Sequence, residues 1–126
     1  MKQAFLTQKG PKAVGPYSTC VIAGNTAYMS GMIGINPAVG AIEATDTEGQ
    51  ARQVFENIST VLGEMGMTLE NVVKVNVFMT DLSEFAKVNA IYAEYFKTPY
   101  PARSCVEVSK LPVGALIEIE VIAVLG

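Results

Sequence analysis

The chain has 126 residues, a net charge of −3 and a hydrophobic fraction of 50%, which together predict one globular domain over residues 1–126. It contains no histidine and only two cysteines, which excludes Ser-His-Asp and Cys-His nucleophile systems, His-containing zinc sites and four-cysteine zinc sites. The acidic balance and the scattered lysines argue against non-specific nucleic-acid binding, so we expect no nucleic-acid partner.

The sequence lacks the usual signals for secretion, membrane insertion and nucleotide binding. Residues 1–10 have no apolar core, and the most apolar segment, Leu111–Leu125, contains Glu118 and Glu120 and is short for a bilayer. Neither a P-loop nor a GxGxxG motif occurs. We therefore expect a cytoplasmic protein with no membrane partner and no cofactor, whose cysteines are reduced thiols.

Hydrophobic periodicity and turn residues predict alternating strands and helices. In chain order the predicted elements are a weak strand at Lys2–Thr7, strands at Ser18–Ala23 and Ala27–Met32 joined by a Gly24-Asn25 hairpin turn, a loop from Gly34 to Gly40, a helix at Thr47–Met65, a strand at Val72–Thr80, a helix from Asp81 or Ser83 to Phe96, and strands at Arg103–Val108 and Leu116–Leu125.

Local patterns add detail to three of these elements. Thr47 with Gln50 predicts a capping box at the start of the first helix, and Gly66 predicts its end. Strict alternation predicts one buried face on the strand that follows, formed by Val73, Val75, Val77 and Met79. In the last strand, Glu118, Glu120, Ile122 and Val124 share the face opposite the apolar one.

Two helices can cover only one face of such a sheet. The other face still carries apolar residues, including Ile122 and Val124, beside Glu118 and Glu120. A mixed face without a covering element of its own predicts burial by another subunit. We therefore expect a homo-oligomer with clefts where the subunits meet.

Arg103 is one of only two arginines, and it lies within a predicted strand. Alternation puts it on one face with Cys105 and Glu107, facing the same side as Glu118, while the valines of this strand face the core. The structural interpretation is a salt bridge to Glu107, Glu118 or Glu120, which is the commoner fate of a charged strand residue. The functional interpretation is an anion clamp, in which the guanidinium holds a ligand carboxylate through paired hydrogen bonds.

Other candidate positions also have two interpretations. Asn89 lies at the edge of the apolar stripe of the second helix, where it could bond a backbone group or line a pocket. Ser30-Gly31 ends a strand and is either a bend or a place of close backbone approach. A loop tyrosine such as Tyr17 is usually a packing residue, and Cys105 is interpreted as a small buried hydrophobe.

The chain resembles the Rid/YjgF family, and within it the RidA subgroup of 2-iminobutanoate/2-iminopropanoate deaminases. The resemblance covers essentially the whole chain. The matching segments are Gly15-Pro16-Tyr17-Ser18, Ser30-Gly31, Gln50-Ala51-Arg52, Val88-Asn89, Pro101-Ala102-Arg103-Ser104-Cys105-Val106-Glu107-Val108 and Ile117-Glu118-Ile119-Glu120.

This resemblance implies an α+β, chorismate-mutase-like (YjgF-like) fold with a mixed sheet and two helices on one face. It further implies a homotrimer whose sheets form a central barrel, with ligand clefts between subunits. The implied activity is hydrolysis of reactive 2-imino acids to 2-keto acids and ammonia. The small-molecule partner would be the 2-imino acid.

The resemblance also implies roles for individual residues and reverses the preference at Arg103. Arg103 would bind the substrate carboxylate, and Glu118 would orient the attacking water. The cleft would be lined by Tyr17, Ser30, Gly31 and Asn89, with Cys105 contributing its backbone. Chemistry of this kind suits a chain without histidine, because an imine is already electrophilic and needs mainly positioning and water delivery.

The chain departs from the common RidA pattern at Thr19-Cys20, Met32-Ile33-Gly34 and Val113-Gly114, where Gln-Gly, a Gln followed by Ile-Pro, and Lys-Asp are usual. Two other functions stay open. The same cleft could serve a non-catalytic module that binds 2-keto acids. Some relatives are described as ribonucleases, against which the acidic charge and the missing histidine argue.

Overall fold

The structure, a computed structural model, describes residues 1–126. The elements follow the predicted order. They are β1 (Lys2–Phe5), β2 (Cys20–Ala23), β3 (Thr26–Met29), β4 (Met32–Ile33), β5 (Ile35–Asn36), β6 (Ala41–Ile42), α1 (Thr47–Glu64), β7 (Val72–Met79), α2 (Phe85–Tyr95), β8 (Ala102–Glu107) and β9 (Ile117–Val124). Short 3₁₀ turns at Leu69–Asn71, Leu82–Glu84 and Pro112–Gly114 precede β7, α2 and β9.

Seven of the strands form one mixed sheet in the order β1-β2-β3-β9-β7-β8, with β4 pairing to the same strand, β9, as β3 does. All neighbours are antiparallel except β7 and β8, which run parallel because α2 connects them. The remaining strands, β5 and β6, form a separate hairpin. The predicted loop from Gly34 to Gly40 is therefore partly strand, closed by a turn in which Gly40 has a φ of +78°.

The helices α1 and α2 pack on one face of the sheet, which confirms the predicted α+β architecture. The apolar stripe of α1 is fully buried there. The ring centre of Phe55 lies 5.9 Å from the ring centres of both Tyr92 and Phe96. Opposite the helices, Val75, Ile119 and the other inward residues of β7 and β9 complete a core of 23 residues. Neither helix combines the length and hydrophobicity needed to cross a bilayer.

The start of α1 differs from the predicted capping box. Asp46 is the N-cap, and its Oδ1 accepts a hydrogen bond from the Gly49 N–H at 3.0 Å. Gln50 is buried instead, because its amide serves the protein interior: Nε2 donates to the Ala44 carbonyl at 3.0 Å, and Oε1 accepts from the Leu116 N–H at 2.8 Å. The predicted stop is confirmed, since Gly66 follows the helix with a φ of +76°.

A β-bulge in β7 makes the predicted position of Val73 wrong. Val72 pairs with Ala123, but Lys74 already pairs with Ile122, so Val73 is an extra residue in the ladder. A bulge of this kind shifts the alternation by one residue. As a result Val72 is buried and Val73 is 49% exposed, while the core face from Val75 onward is as predicted.

The predicted faces of β8 are inverted. Val75 pairs with both Arg103 on β8 and Val121 on β9, and these neighbours share the helix-covered face. Arg103 and Cys105 therefore point toward the helices, whereas Val106 is 45% exposed on the open face. The prediction failed because β8 is the edge strand, where the rim of the core can accept a long polar side chain.

Candidate functional site

The predicted site residues lie in two clefts on opposite faces of the sheet. The first, here the Glu118 cleft, has a volume of about 490 Å³ and contains Tyr17, Ser30, Gly31 and Glu118. The second, here the Arg103 cleft, has a volume of about 420 Å³ and is lined by Asn89, Tyr92, Ala93, Tyr100, Pro101 and Arg103. The expectation that Arg103 and Glu118 face the same side within one chain is therefore wrong.

The strand register establishes this separation. Phe78 pairs with Glu118 on β9 and with Val106 on β8, and these residues lie on the open face. Arg103 is an odd number of residues from Val106, so its side chain projects from the other face. The two groups that the resemblance assigns to one reaction do not meet within one chain.

An irregularity between β3 and β4 creates the floor of the Glu118 cleft. Both strands pair with β9, Tyr28 with Ile122 and Met32 with Ile119. Four residue steps on the β3–β4 side therefore lie opposite three steps on β9. The extra residue falls at Ser30-Gly31 and bends the strand as a bulge does. The bend makes room for the side chain of Glu118.

Gly31 is required at this bend because Glu118 occupies the space of a side chain. A Cβ built on Gly31 would lie 1.8 Å from Oε2 of Glu118 and 2.7 Å from its Cδ. The glutamate is thus folded over the bare backbone of Gly31. The interpretation of Ser30-Gly31 as a place of close approach is confirmed.

Ser30 and Tyr17 belong to the wall of the same cleft. The Ser30 N–H donates to the Thr19 carbonyl at 2.9 Å, and its hydroxyl donates to the Ser18 carbonyl at 2.6 Å. These bonds hold the loop that carries Tyr17, whose side chain is 51% exposed beside Glu118. Ser30 therefore positions the loop wall, and the Tyr17 hydroxyl is free to meet a ligand.

The environment of Glu118 favours its protonated form. Burial raises the pKa of Glu118, and the nearby negative charge of Glu120 raises it further. Glu120 itself is fixed by the Asn76 amide, which donates to its Oε1 at 2.9 Å. Because the raised pKa means that the folded state holds this proton more tightly than the unfolded chain, stability falls as pH rises through the Glu118 titration. A carboxyl group of this kind can exchange a proton closer to neutral pH than an exposed one.

We expect Glu120→Gln to lower the pKa of Glu118 toward its ordinary value, because the substitution removes the like charge but keeps an acceptor for Asn76. The measurement is a carboxyl carbon NMR titration of Glu118. Glu70→Gln is the matched control, since Glu70 is exposed at the far end of β7. A Glu118 titration that is unchanged by Glu120→Gln would contradict the assigned cause.

Arg103 is held by groups that are not carboxylates. Its Nη1 donates to Oδ1 of Asn89 at 2.8 Å, and its guanidinium lies 4.6 Å from the ring centre of Tyr92 and 5.4 Å from that of Phe85. The two ion pairs of the chain are Arg52–Glu94 and Glu84–Lys87, and Arg103 takes part in neither. The predicted sheet salt bridge is therefore not formed.

Each carboxylate proposed for that salt bridge is placed elsewhere. Glu107 accepts a hydrogen bond from the Leu82 N–H at 2.9 Å, Glu120 accepts from Asn76, and Glu118 lies on the opposite face. Arg103 consequently keeps free N–H donors that point into an exposed cleft. A guanidinium that is oriented but has no anionic partner is suited to binding a ligand carboxylate.

Cys105 contributes to neither cleft through its side chain. Its Sγ lies 3.9 Å from Sδ of Met79, and burial raises the pKa of its thiol. The interpretation as a small hydrophobic residue thus agrees with its contacts. Its backbone lies in β8, the strand at the unpaired edge of the sheet.

Comparison with known proteins identifies the family. A family profile described as Endoribonuclease L-PSP, the YjgF/Rid domain, matches residues 7–125. The chain belongs to the YjgF/Rid family.

Individual relatives match this chain over nearly its whole length. A RutC family protein of Pyrococcus horikoshii is 48% identical over 123 residues, covering 98% of both chains. The human protein named 2-iminobutanoate/2-iminopropanoate deaminase is 39% identical over 126 residues, covering 100% of this chain and 92% of its own. Crystalline TdcF of E. coli with bound serine superimposes with a TM-score of 0.90 at 39% identity, covering 98% of this chain and 99% of its own. The resemblance and the fold class inferred from the sequence are thus confirmed.

Residues outside the predicted set of site residues also shape the two clefts. Phe85 and Tyr92 belong to the apolar stripe of α2 and flank Arg103 from the same helical face as Asn89, which lies four residues after Phe85 and three before Tyr92. Buried Asn57 donates from Nδ2 to the Ile35 carbonyl at 2.8 Å and so holds the strand beside the Glu118 cleft. In the sequence, the only indication of this role is that Asn57 is a polar residue beside the apolar stripe of α1.

Proposed function

We propose that the chain hydrolyses reactive 2-imino acids to 2-keto acids and ammonia. The observation that carries this proposal is Arg103, a fixed guanidinium in an open cleft with no carboxylate partner in its own chain. Two relatives support it: the human protein is named a deaminase of this class, and E. coli TdcF binds serine, a small molecule with a carboxylate.

In the proposed reaction Arg103 binds the substrate carboxylate through two parallel N–H···O bonds, and the substrate is oriented by this clamp. Water adds to the imine carbon while Glu118 accepts its proton. Glu118 returns that proton to the nitrogen, which gives the carbinolamine. The carbinolamine hydroxyl then passes its proton through Glu118 to the nitrogen as the C–N bond breaks, a C=O bond forms and ammonia leaves. The raised pKa of Glu118 supports this role, because the same carboxyl group must take and return a proton.

Because the two clefts lie on opposite faces of one chain, the proposed reaction implies a site formed between copies of the chain. We infer a homotrimer in which Arg103 of one copy approaches Glu118 of its neighbour. The open face of the sheet supports this assembly, because it exposes Tyr28 by 49% and Val106 by 45% around half-buried Ile122. Covering that face would also separate Glu118 from bulk solvent and strengthen the electrostatic contacts of the site.

The test is a coupled assay in which an amino-acid oxidase generates 2-imino acids from alanine, leucine or methionine and semicarbazide traps what remains. We expect wild-type protein to suppress the trapped semicarbazone catalytically. Tight binding of 2-keto acids without suppression would favour the non-catalytic binding module instead. Cleavage of single-stranded RNA under the same conditions, without suppression, would favour the ribonuclease interpretation.

We expect two inactive variants to restore activity when mixed. If Arg103→Ala and Glu118→Gln subunits assemble together, one interface of each mixed trimer pairs an intact arginine with an intact glutamate, so random mixing recovers about a quarter of wild-type activity. The measurement is the coupled assay after the two variants are unfolded and refolded together. Each variant refolded alone is the control. Mixed oligomers that recover no activity would contradict a site shared between copies.

A further inference from the structure

We propose that Val113 is a specificity-determining residue, which selects 2-imino acids with extended apolar side chains at the mouth of the Glu118 cleft. This inference rests on the proposed function. It concerns the part of the substrate that does not react. Three observations support it: the backbone of Val113, the anchoring of its loop and the chemistry of the cleft wall.

Val113 adopts a backbone conformation that its side chain disfavours. Its φ is +49° and its ψ is +33°, the left-handed region, and it is the only residue other than glycine with a positive φ. A β-branched residue is a genuine outlier there. Such conformations persist when surrounding structure imposes them, and they cluster at ligand clamps.

The loop around Val113 is closed by a hydrogen-bonded turn and anchored directly after it. The Ala115 N–H donates to the Pro112 carbonyl at 3.0 Å, and the next residue, Leu116, is held by Gln50 and by the Thr80 N–H. Gly114 follows with a φ of +72°. Glycine or asparagine at position 113 would meet this geometry at lower cost.

Packing within the chain does not account for the valine. Its side chain is 79% exposed, so the fold gains little from it. The side chain instead lines the cleft that contains Glu118. An exposed apolar group held in a strained position at a cleft mouth is explained by contact with something that enters the cleft.

The cleft wall indicates what enters. Besides Val113, its apolar members are Pro11, Val14, Met32, Ile33, Ile35 and Pro112. The charged groups are Glu118 and the exposed Lys12 at the rim. A volume of about 490 Å³ lies within the usual range for small-molecule pockets and leaves an apolar region beyond the reacting group. Leucine- and methionine-derived imino acids would fill this region, whereas an alanine-derived one would leave it empty.

The test compares kcat/KM for alanine- and leucine-derived imino acids in wild type and Val113→Gly. We expect Val113→Gly to lower the leucine-derived value by about 10-fold, the effect of losing a few methyl contacts in an apolar pocket, and to leave the alanine-derived value within about twofold. Thermal unfolding should show a variant at least as stable as wild type. Val39→Gly is the control, because Val39 is 59% exposed in the β5–β6 turn and outside the cleft.

Equal reductions for both substrates, or none, would overturn the role of Val113. If wild type hydrolyses neither imino acid, the proposed function fails, and calorimetry with 4-methyl-2-oxopentanoate and pyruvate then tests the inference separately. Val113→Gly should weaken binding of the first and spare the second. Equal changes, or no binding of either by wild type, would also overturn it.

Discussion

Arg103→Ala is expected to lower kcat/KM for 2-imino acids by about 100- to 1,000-fold, because each hydrogen bond to a charged partner contributes roughly 1.5–3 kcal/mol. The loss should appear as a raised KM together with a lowered kcat, since the clamp both binds and orients the substrate. Arg103→Lys should recover little, because a lysine cannot reproduce the planar pair of donors. The coupled imine assay measures all three proteins.

Arg52→Ala provides the matched control. Arg52 is the only other arginine of the chain, and its pairing with Glu94 at 3.0 Å is exposed. An exposed ion pair contributes little to stability, so this variant should keep wild-type activity and fold. If Arg103→Ala remained as active as Arg52→Ala, Arg103 would have no part in binding the substrate.

Gly31→Ala is the second variant with a large expected effect. The added methyl group would lie 1.8 Å from Oε2 of Glu118, so the carboxylate must move away. Losing a positioned proton acceptor typically costs about 100- to 10,000-fold in rate, and we expect kcat to fall by at least about 100-fold. Stability should change little, because the atom displaced is the end of a flexible side chain.

Gly63→Ala tests whether adding a methyl group is harmful by itself. Gly63 lies in α1, and nothing lies within 4 Å of a Cβ built there. This control should retain activity and gain up to about 1 kcal/mol of stability from better helix propensity. Full activity in Gly31→Ala would show that the observed placement of Glu118 is not needed for turnover.

The sequence was sufficient to predict features that depend on local periodicity. The apolar stripe of α1, from Ala51 to Leu62, is continuous, so the periodicity was sufficient to place this helix. The alternation of β9 is equally regular, and its inward residues are buried as expected. These patterns repeat often enough that one exception does not change the result.

Features that depend on one residue or on an edge were not predictable in this way. A single bulge exposed Val73, and no residue type in the strand indicates the position of this bulge. Arg103 was assigned to the wrong face because two valines suggested a core-facing side, although the strand lies at the sheet edge. Register and strand order decide such positions, and both are set by contacts distant in sequence.

The hydrogen bonds of Gln50 and Asn57 have a mechanical consequence. One ties the start of β9, which carries Glu118, to α1, and the other ties the strand containing Ile35 to the same helix. The two anchor points are seven residues apart, or about 10 Å along the axis of a rigid helix. Two strands that border the cleft are thus anchored to the same rigid helix. We expect them to move together, so that the distance between them stays constant while the surrounding loops move.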